Sequence, residues 1–292
     1  MNRRRARLAI ALAILAGTVA AAVATVVVVR HRHQTSPPLA MGTMEKMPLG
    51  PGNPVGFMVY RPAGYERSRT SYPAIVYLHG FGESGHGDAL DLNVLVSAGL
   101  PRLVSTGQLP PSARGFVILA PQSSGPVDDP AVLHRWLATA LPRYRVDRDR
   151  LYLTGISMGG QGVFDYLDTY GDANEFAAMV PISGAFVARP VPDGVPSCER
   201  MAHTPLWAFH GDSDDVVPVQ NSINVVANVD AHCRPPERLR LTIYLDSFHN
   251  VWDRTYDLSG RTDNPTEPEW DPYDSDIYRW LLDHRRHDRP HP

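Results

Sequence analysis

Leu151-Tyr152-Leu153-Thr154-Gly155-Ile156-Ser157-Met158-Gly159-Gly160 is the stretch whose reading decides the fold. An apolar run, Leu151–Thr154, reads as a strand. It ends in G-x-S-x-G, and a helical pattern follows over Met158–Tyr170. A nucleophilic serine needs a sharp turn that exposes its hydroxyl and leaves the next N–H free, and a strand–turn–helix setting supplies both. The flanking glycines permit the tight turn and the close approach of neighbouring backbone. Alone the pattern is weak, and an ordinary Gly-rich helix start is its competing reading. The setting makes Ser157 the candidate nucleophile.

Working outward, strand-like and helix-like runs alternate. Val55–Arg61, Ala74–Leu78, Phe116–Ala120, Ala177–Ile182, Leu206–Phe209 and Leu239–Leu245 read as further strands. Leu92–Thr106 reads as partly helical and interrupted at Pro101. Pro130–Leu141, Val219–Val229 and Asp276–Arg286 read as helices, the last capped by Asp274 or Ser275. Apolar strands alternating with helices predict an α/β fold, with a mostly parallel sheet covered on both faces. No long insertion between strands suggests a large lid domain. Ligands of such sheets bind beyond the carboxyl ends of the strands, so the residues just after each strand carry the chemistry.

After Leu206–Phe209 comes His210-Gly211-Asp212-Ser213-Asp214-Asp215-Val216-Val217-Pro218. A carboxylate there can orient a histidine and stabilise its cation. The H-G-x-x-D-x-x-V-P spacing selects Asp214, and Asp212 and Asp215 read as turn or cap residues. After Leu239–Leu245 comes Asp246-Ser247-Phe248-His249-Asn250-Val251-Trp252, which places His249 as general base. A lone histidine is more often structural. Here the order Ser, Asp, His along the chain matches that of α/β-hydrolases. After Ala74–Leu78 comes His79-Gly80-Phe81-Gly82-Glu83-Ser84-Gly85. Its bend suits backbone donors for an oxyanion, assigned to Phe81 and Met158, with Gly80 and Gly82 allowing the bend. Gly80, Gly82, Glu83 and Trp252 are the candidate substrate contacts. Trp207 reads as core.

These segments, with Tyr77-Leu78 before the loop, Pro121-Gln122, Trp207-Ala208-Phe209 and His249-Asn250-Val251-Trp252-Asp253, resemble the phospholipase/carboxylesterase group of α/β-hydrolases. Within that group they are most similar to the "predicted peptidase" esterases related to polyhydroxybutyrate depolymerases and feruloyl esterases. The resemblance spans about residues 70 to 285. It implies the α/β-hydrolase fold and a metal-independent serine hydrolase, and it is loose for substrate. The stretch after Pro121-Gln122 is short and lacks the aromatic cluster that would wall an acyl or aryl pocket.

The chain has 292 residues and a formal net charge of -3. No long basic run lies in the folded part, so no nucleic-acid partner is expected. Arg3, Arg4, Arg5 and Arg7 precede an uncharged run, Leu8–Val29, and Arg30 and Arg32 follow it. Roughly 22 helical residues at about 1.5 Å each span about 33 Å, enough for a bilayer core. Residues 1–33 therefore read as a membrane anchor or a signal segment. Ala20-Ala21-Ala22 and Ala22-Val23-Ala24 offer cleavage sites, but Val26–Val29 continue the apolar run past both. The arginines favour a cytoplasmic N-terminus. The expected location is the cell membrane, single-pass, with the catalytic domain outside the cytoplasm, or secreted if the segment is cleaved. Residues 34–54 read as a linker, 55–287 as the catalytic domain and 288–292 as a tail. An oxidising location permits a disulfide between Cys198 and Cys233, the alternative being two buried thiols.

No H-E-x-x-H, clustered Cys/His set, phosphate loop or dinucleotide fingerprint occurs, so no catalytic metal and no cofactor is expected. Asp271, Asp274 and Asp276 match no calcium loop, and helix capping explains them. The expected function is cleavage of carboxylic esters through an acyl-enzyme on Ser157, the ester being a small molecule or polymer-borne. Activity should fall toward acidic pH as the imidazole base takes a proton. Two rivals remain. One is an envelope acyltransferase with the same triad. The other is a non-catalytic envelope-binding domain, which has no need for all three residues in register.

Overall fold

The computed structural model describes residues 39–124, 129–186, 198–262 and 265–288. The segment 1–33 read as an anchor or signal lies outside them, as do residues 34–38 and all of the tail but Asp288. Among the described residues no helix is long and apolar enough to cross a membrane.

Eight strands form one sheet: β1 (Thr43–Met47), β2 (Phe57–Arg61), β3 (Tyr72–Leu78), β4 (Val117–Pro121), β5 (Val146–Ile156), β6 (Ala178–Ile182), β7 (Trp207–Gly211) and β8 (Arg240–Tyr244). Their order is β1-β2-β4-β3-β5-β6-β7-β8. The pairs β1–β2 and β2–β4 are antiparallel, and every later pair is parallel. Helices α1 (Gly99–Ser105), α2 (Pro130–Ala140), α3 (Met158–Tyr170), α4 (Cys198–Met201), α5 (Gln220–Cys233), α6 (Trp252–Tyr256) and α7 (Ile277–Leu282) complete the domain.

The apolar strands are buried on both faces, which is why they read as continuous runs rather than alternating ones. In β3, Ala74, Val76 and Leu78 face a layer holding Trp136 of α2, Phe164 of α3 and Val226 of α5. Ile75 and Tyr77 face the other layer, with Leu100 of α1, Tyr256 of α6 and Tyr278 of α7. Asp129 caps α2 by accepting from the Ala131 N–H at 2.9 Å, ahead of Pro130 at the first helical position.

Four expectations need correction. The stretch 34–54 is not all linker. Thr43–Met47 pairs with β2 as an edge strand, and the domain begins at Leu39. Most of β1 stays exposed or half-exposed, so it carries no apolar run to read. Strand β5 begins at Val146 rather than Leu151, its first half being a charged stretch in which Arg150 pairs with Asp147 at 2.6 Å. The break in 92–106 falls at Ala98, between a 3-10 turn and α1, and Pro101 lies in the first turn of α1 where its missing N–H costs nothing. Asp276 caps α7 through the Tyr278 N–H at 2.9 Å, whereas Asp274 pairs with Arg240 and Asp271 accepts from the Leu241 N–H. Capping thus explains one of those three aspartates, and the other two tie their segment to β8.

Candidate active site

Three of the candidate residues meet at the carboxyl edge of the parallel strands. Ser157 follows β5 at the start of α3, with φ 51° and ψ −116°. A left-handed backbone at a serine costs on the order of 1–3 kcal/mol and persists only where its surroundings hold it. Here the Ser157 N–H donates to Ile182 O of β6 at 2.9 Å. A side chain on Gly155 would overlap the Gly159 carbonyl, and one on Gly159 would overlap the carbonyls of Leu78 and His79. The two glycines therefore let the start of α3 press against the end of β3.

His249 Nε2 lies 2.8 Å from Ser157 Oγ, and its Nδ1 lies 2.7 Å from Asp214 Oδ2. The Asp214 side chain is fully buried, and that of His249 is 16% exposed. Burial alone would push the Asp214 carboxyl up. Bonds from His210, His249 and the Val217 and Val216 amides outweigh it and hold the carboxyl well below the usual carboxylate range. An ionised Asp214 only accepts, so His249 carries its proton on Nδ1, and Nε2 is left to accept from the serine hydroxyl.

Sequence reasoning missed the supports around these residues. His210 is wholly buried, and its Nε2 faces Asp214 Oδ2 at 3.1 Å and Val217 O at 2.9 Å. Both partners are acceptors, so Nε2 is protonated, and Nδ1 lies 2.8 Å from Ser222 Oγ. Asp212 accepts from the Asp246 and Ser247 amides and braces the loop that carries His249. Ser183 Oγ donates to His249 O at 2.9 Å. The H-G-x-x-D phrase held the signal for His210, because it sets that residue at the end of β7, just before the turn that carries Asp214. Nothing in the sequence marks Ser183.

The loop after β3 turns through a 3-10 segment, Phe81–Glu83. The Phe81 N–H has no acceptor among the described residues, and Met158 is the first residue of α3, whose opening N–H groups lack intrahelical acceptors. Phe81 itself is 79% exposed. Glu83 does not reach outward as a substrate contact. The 3-10 turn folds its carboxylate back, where Oε2 accepts from the Gly80 N–H and Oε1 from Ser97 Oγ, both at 3.0 Å. Burial raises its carboxyl above the usual range, and the bonds from Ser97 and Gly80 only partly offset this. Gly80 thereby has its amide committed to Glu83, while Gly82 stays exposed. Trp252 stands edge-on to the His249 ring at 5.2 Å between centroids and is half-buried.

Cys198 of α4 and Cys233 at the end of α5 are joined by a disulfide.

No protein-family profile matches the chain. A stretch of 138 residues, 46% of the chain, is 28% identical to the bifunctional acetylxylan esterase/xylanase of Neocallimastix patriciarum, and the chain spans only 17% of that protein. Among solved structures, a thermostable esterase aligns over 84% of this chain and 63% of its own, with TM-score 0.56 and 23% identity. An α/β hydrolase from a Medee basin deep-sea metagenome aligns over 84% of this chain and 98% of its own, with TM-score 0.52 and 15% identity. The chain has the fold these structures share.

Proposed function

We propose that this α/β-hydrolase is a serine esterase that cleaves carboxylic esters through an acyl-enzyme. The observation that carries the reading is the unbroken hydrogen-bonded chain from Asp214 through His249 to Ser157. Ser157 Oγ attacks the ester carbonyl carbon as its proton passes to His249 Nε2. The carbonyl oxygen becomes an oxyanion, held by the N–H groups of Phe81 and Met158. A donor of this kind is worth about 2.7–4 kcal/mol of barrier. The C–O bond to the alcohol then breaks, and the leaving oxygen takes the proton from Nε2. Water enters, gives its proton to Nε2 and attacks the acyl carbon. The second tetrahedral species returns Ser157 with its proton and releases the acid. Asp214 stays ionised throughout and stabilises the imidazolium.

The relative from Neocallimastix patriciarum supports an ester of an acetylated or otherwise acylated carbohydrate as a first substrate to try. Phe81, Val216 and Phe248, on the loops that follow β3, β7 and β8, are exposed, which suits substrates that need no lid.

The proposal extends to location. The uncharged run Leu8–Val29 behind its arginines supports a membrane anchor with the domain outside the cytoplasm. The disulfide fits an oxidising compartment. The chain enters the domain at Leu39, whose carbonyl accepts from Arg114 before β4, at the end of the sheet opposite the carboxyl ends of the parallel strands.

The test is hydrolysis of p-nitrophenyl esters of graded acyl length and of acetylated xylan by the full chain, beside Ser157→Ala. Activity that the variant loses supports the reading. A folded wild type that hydrolyses none of them, even with alcohols added as acceptors, overturns it. Transfer products with those alcohols in place of free acid would reassign the same site to acyl transfer. Retention in membranes after a carbonate wash, with digestion by external protease, is expected for the anchored form.

A further inference from the structure

We infer that His79 and Glu83 are positioning residues that aim the Phe81 N–H at the oxyanion, by clamping Gly80 from both sides. The inference rests on the esterase reading of the same site. Gly80 is held by three bonds. Its carbonyl accepts from His79 Nδ1 at 2.7 Å and from the Glu83 N–H at 3.2 Å. Its N–H donates to Glu83 Oε2 at 3.0 Å. The described residues contain no cis peptide bonds. In a trans peptide the C=O and the following N–H point in opposite directions. Fixing Gly80 O toward His79 therefore turns the Phe81 N–H away from His79, and it has no partner among the described residues.

The clamp is itself anchored. A carbonyl cannot donate, so His79 Nδ1 carries the proton, and Nε2 accepts from the Ser123 N–H at 3.2 Å. The ring is fully buried, and burial lowers its pKa, which agrees with that single neutral tautomer. Glu83 is fixed at its other end by Ser97 Oγ, and its own carbonyl accepts from Gln122 Nε2 at 2.9 Å. Gln122 Nε2 also reaches Asp91 O at 3.0 Å, which ties the loop to the 3-10 turn Asp91–Ser97. The motif residues His79, Glu83 and Gln122 thus serve the backbone of the loop after β3. An oxyanion donor helps only if it is already in place when charge develops, and this network supplies that preorganisation.

The decisive comparison is a crossed pair. Glu83→Asp keeps the charge but withdraws the acceptor from the Gly80 amide. Glu83→Gln removes the charge but keeps an oxygen to accept from it. The clamp predicts a kcat loss of about 10- to 100-fold for Glu83→Asp, with KM within about threefold, since a whole donor is worth about 10²–10³. It predicts Glu83→Gln within about threefold of wild type. His79→Ala should behave like Glu83→Asp, and His79→Asn, whose Nδ2 can replace the Nδ1 donor, should recover part of the loss. A trifluoromethyl ketone, whose adduct with Ser157 carries the oxyanion, should bind weaker to Glu83→Asp by the same factor as kcat falls. Reaction of Ser157 with a fluorophosphonate reports that the nucleophile and fold are intact in each variant. The inverse order, Glu83→Gln poor and Glu83→Asp near wild type, overturns the clamp in favour of a charge effect. Equal losses in kcat and 1/KM without weaker ketone binding also overturn it. A wild type inactive on every ester overturns the esterase reading and the clamp together, whereas an active wild type with indifferent variants overturns the clamp alone.

Discussion

The two edges of the sheet differ in what they spend on strain and what they spend on fastening. At the carboxyl edge, Ser157, Ser183 and Asp246 all hold φ near +50°, and large apolar side chains such as Phe81 and Phe248 stand exposed. At the opposite edge the chain is tied down. The Cys198–Cys233 disulfide joins α4 to the end of α5, Asn174 Nδ2 donates to Thr204 Oγ1, Arg200 pairs with Asp168, and Arg114 holds Leu39. Three of the five described non-glycine residues with positive φ lie at the carboxyl edge, against Arg234 at the end of α5 on the opposite one, and the disulfide lies opposite; more strain on one side and the cross-link on the other is the division expected when one side does chemistry and the other supports it. Substitutions at the carboxyl edge should then change rate more than stability, and those at the opposite edge the reverse.

The largest effect tests the first half of that contrast. Ser157→Ala should lower turnover by about 10⁴–10⁶. The alanine retains a positive φ, so any stability change is expected to stay within about 1–2 kcal/mol. Steady-state kinetics beside thermal melting would check both numbers. A variant that melted far lower and lost activity only in proportion to its unfolded fraction would erase the distinction between the edges.

Asp214→Asn should come next, at about 10⁴ in kcat, because an amide can donate to Nδ1 and so favours the wrong tautomer of His249. The same carboxylate has a sign on the stability axis. Its folded pKa is held below its ordinary value, so its contribution is present above about pH 3.9 and is lost as pH falls through the folded value. Acid unfolding followed at pH 2–5 should therefore be shallower in Asp214→Asn than in wild type. Equal slopes would mean that the buried carboxylate contributes nothing through its charge.

The contrast also explains what could be read in advance. Ser157, Asp214 and His249 are separated by 57 and 35 residues, yet each follows a strand in a recognisable phrase, so chain order and spacing pointed to three residues that the fold brings within hydrogen-bond distance. The roles of Glu83 and His79 were not legible, because a glutamate or histidine in a glycine loop looks the same whether it faces a ligand or its own backbone. Only the 3-10 turn of Phe81–Glu83 decides that. Strand β1 escaped for another reason. An edge strand that buries little leaves no periodic signal, and the proline- and glycine-rich residues beside it read as a linker. The apolar strands, buried on both faces, were the easiest elements to place.

The disulfide tests the second half of the contrast. It closes a loop with sequence separation 35. The chain-entropy relation then gives about 3–4 kcal/mol, or a melting shift of about 7–15 °C for a domain of this size. Reduction, or the double substitution Cys198→Ser with Cys233→Ser, should lower the melting temperature by that order and leave kcat within about twofold at 25 °C. A large fall in kcat with little change in melting would place the fastening on the wrong edge.

The smallest expected effect is a titration at the opposite edge. His284 Nε2 lies 3.1 Å from both oxygens of Glu237, and its Nδ1 faces Trp280 O at 2.8 Å. Burial alone would lower the pKa of this imidazole, but the Glu237 carboxylate, by hydrogen bond and by charge, raises it above its ordinary value. A histidine with a raised folded pKa contributes stability that is fully present below the unfolded value, about 6.5, and is lost as pH rises through the folded one. This is the opposite sign to Asp214, so the two edges lose their electrostatic support at opposite ends of the pH scale. Glu237 is about half exposed, which keeps the effect small and sensitive to salt. Urea midpoints of wild type and Glu237→Gln at pH 6, 7 and 8.5 would isolate it, since the other titrating groups are common to both. The wild type should hold its advantage at pH 6 and surrender it by pH 8.5, less so at high salt. A difference between the two proteins that did not change with pH would show that Glu237 acts there through packing alone.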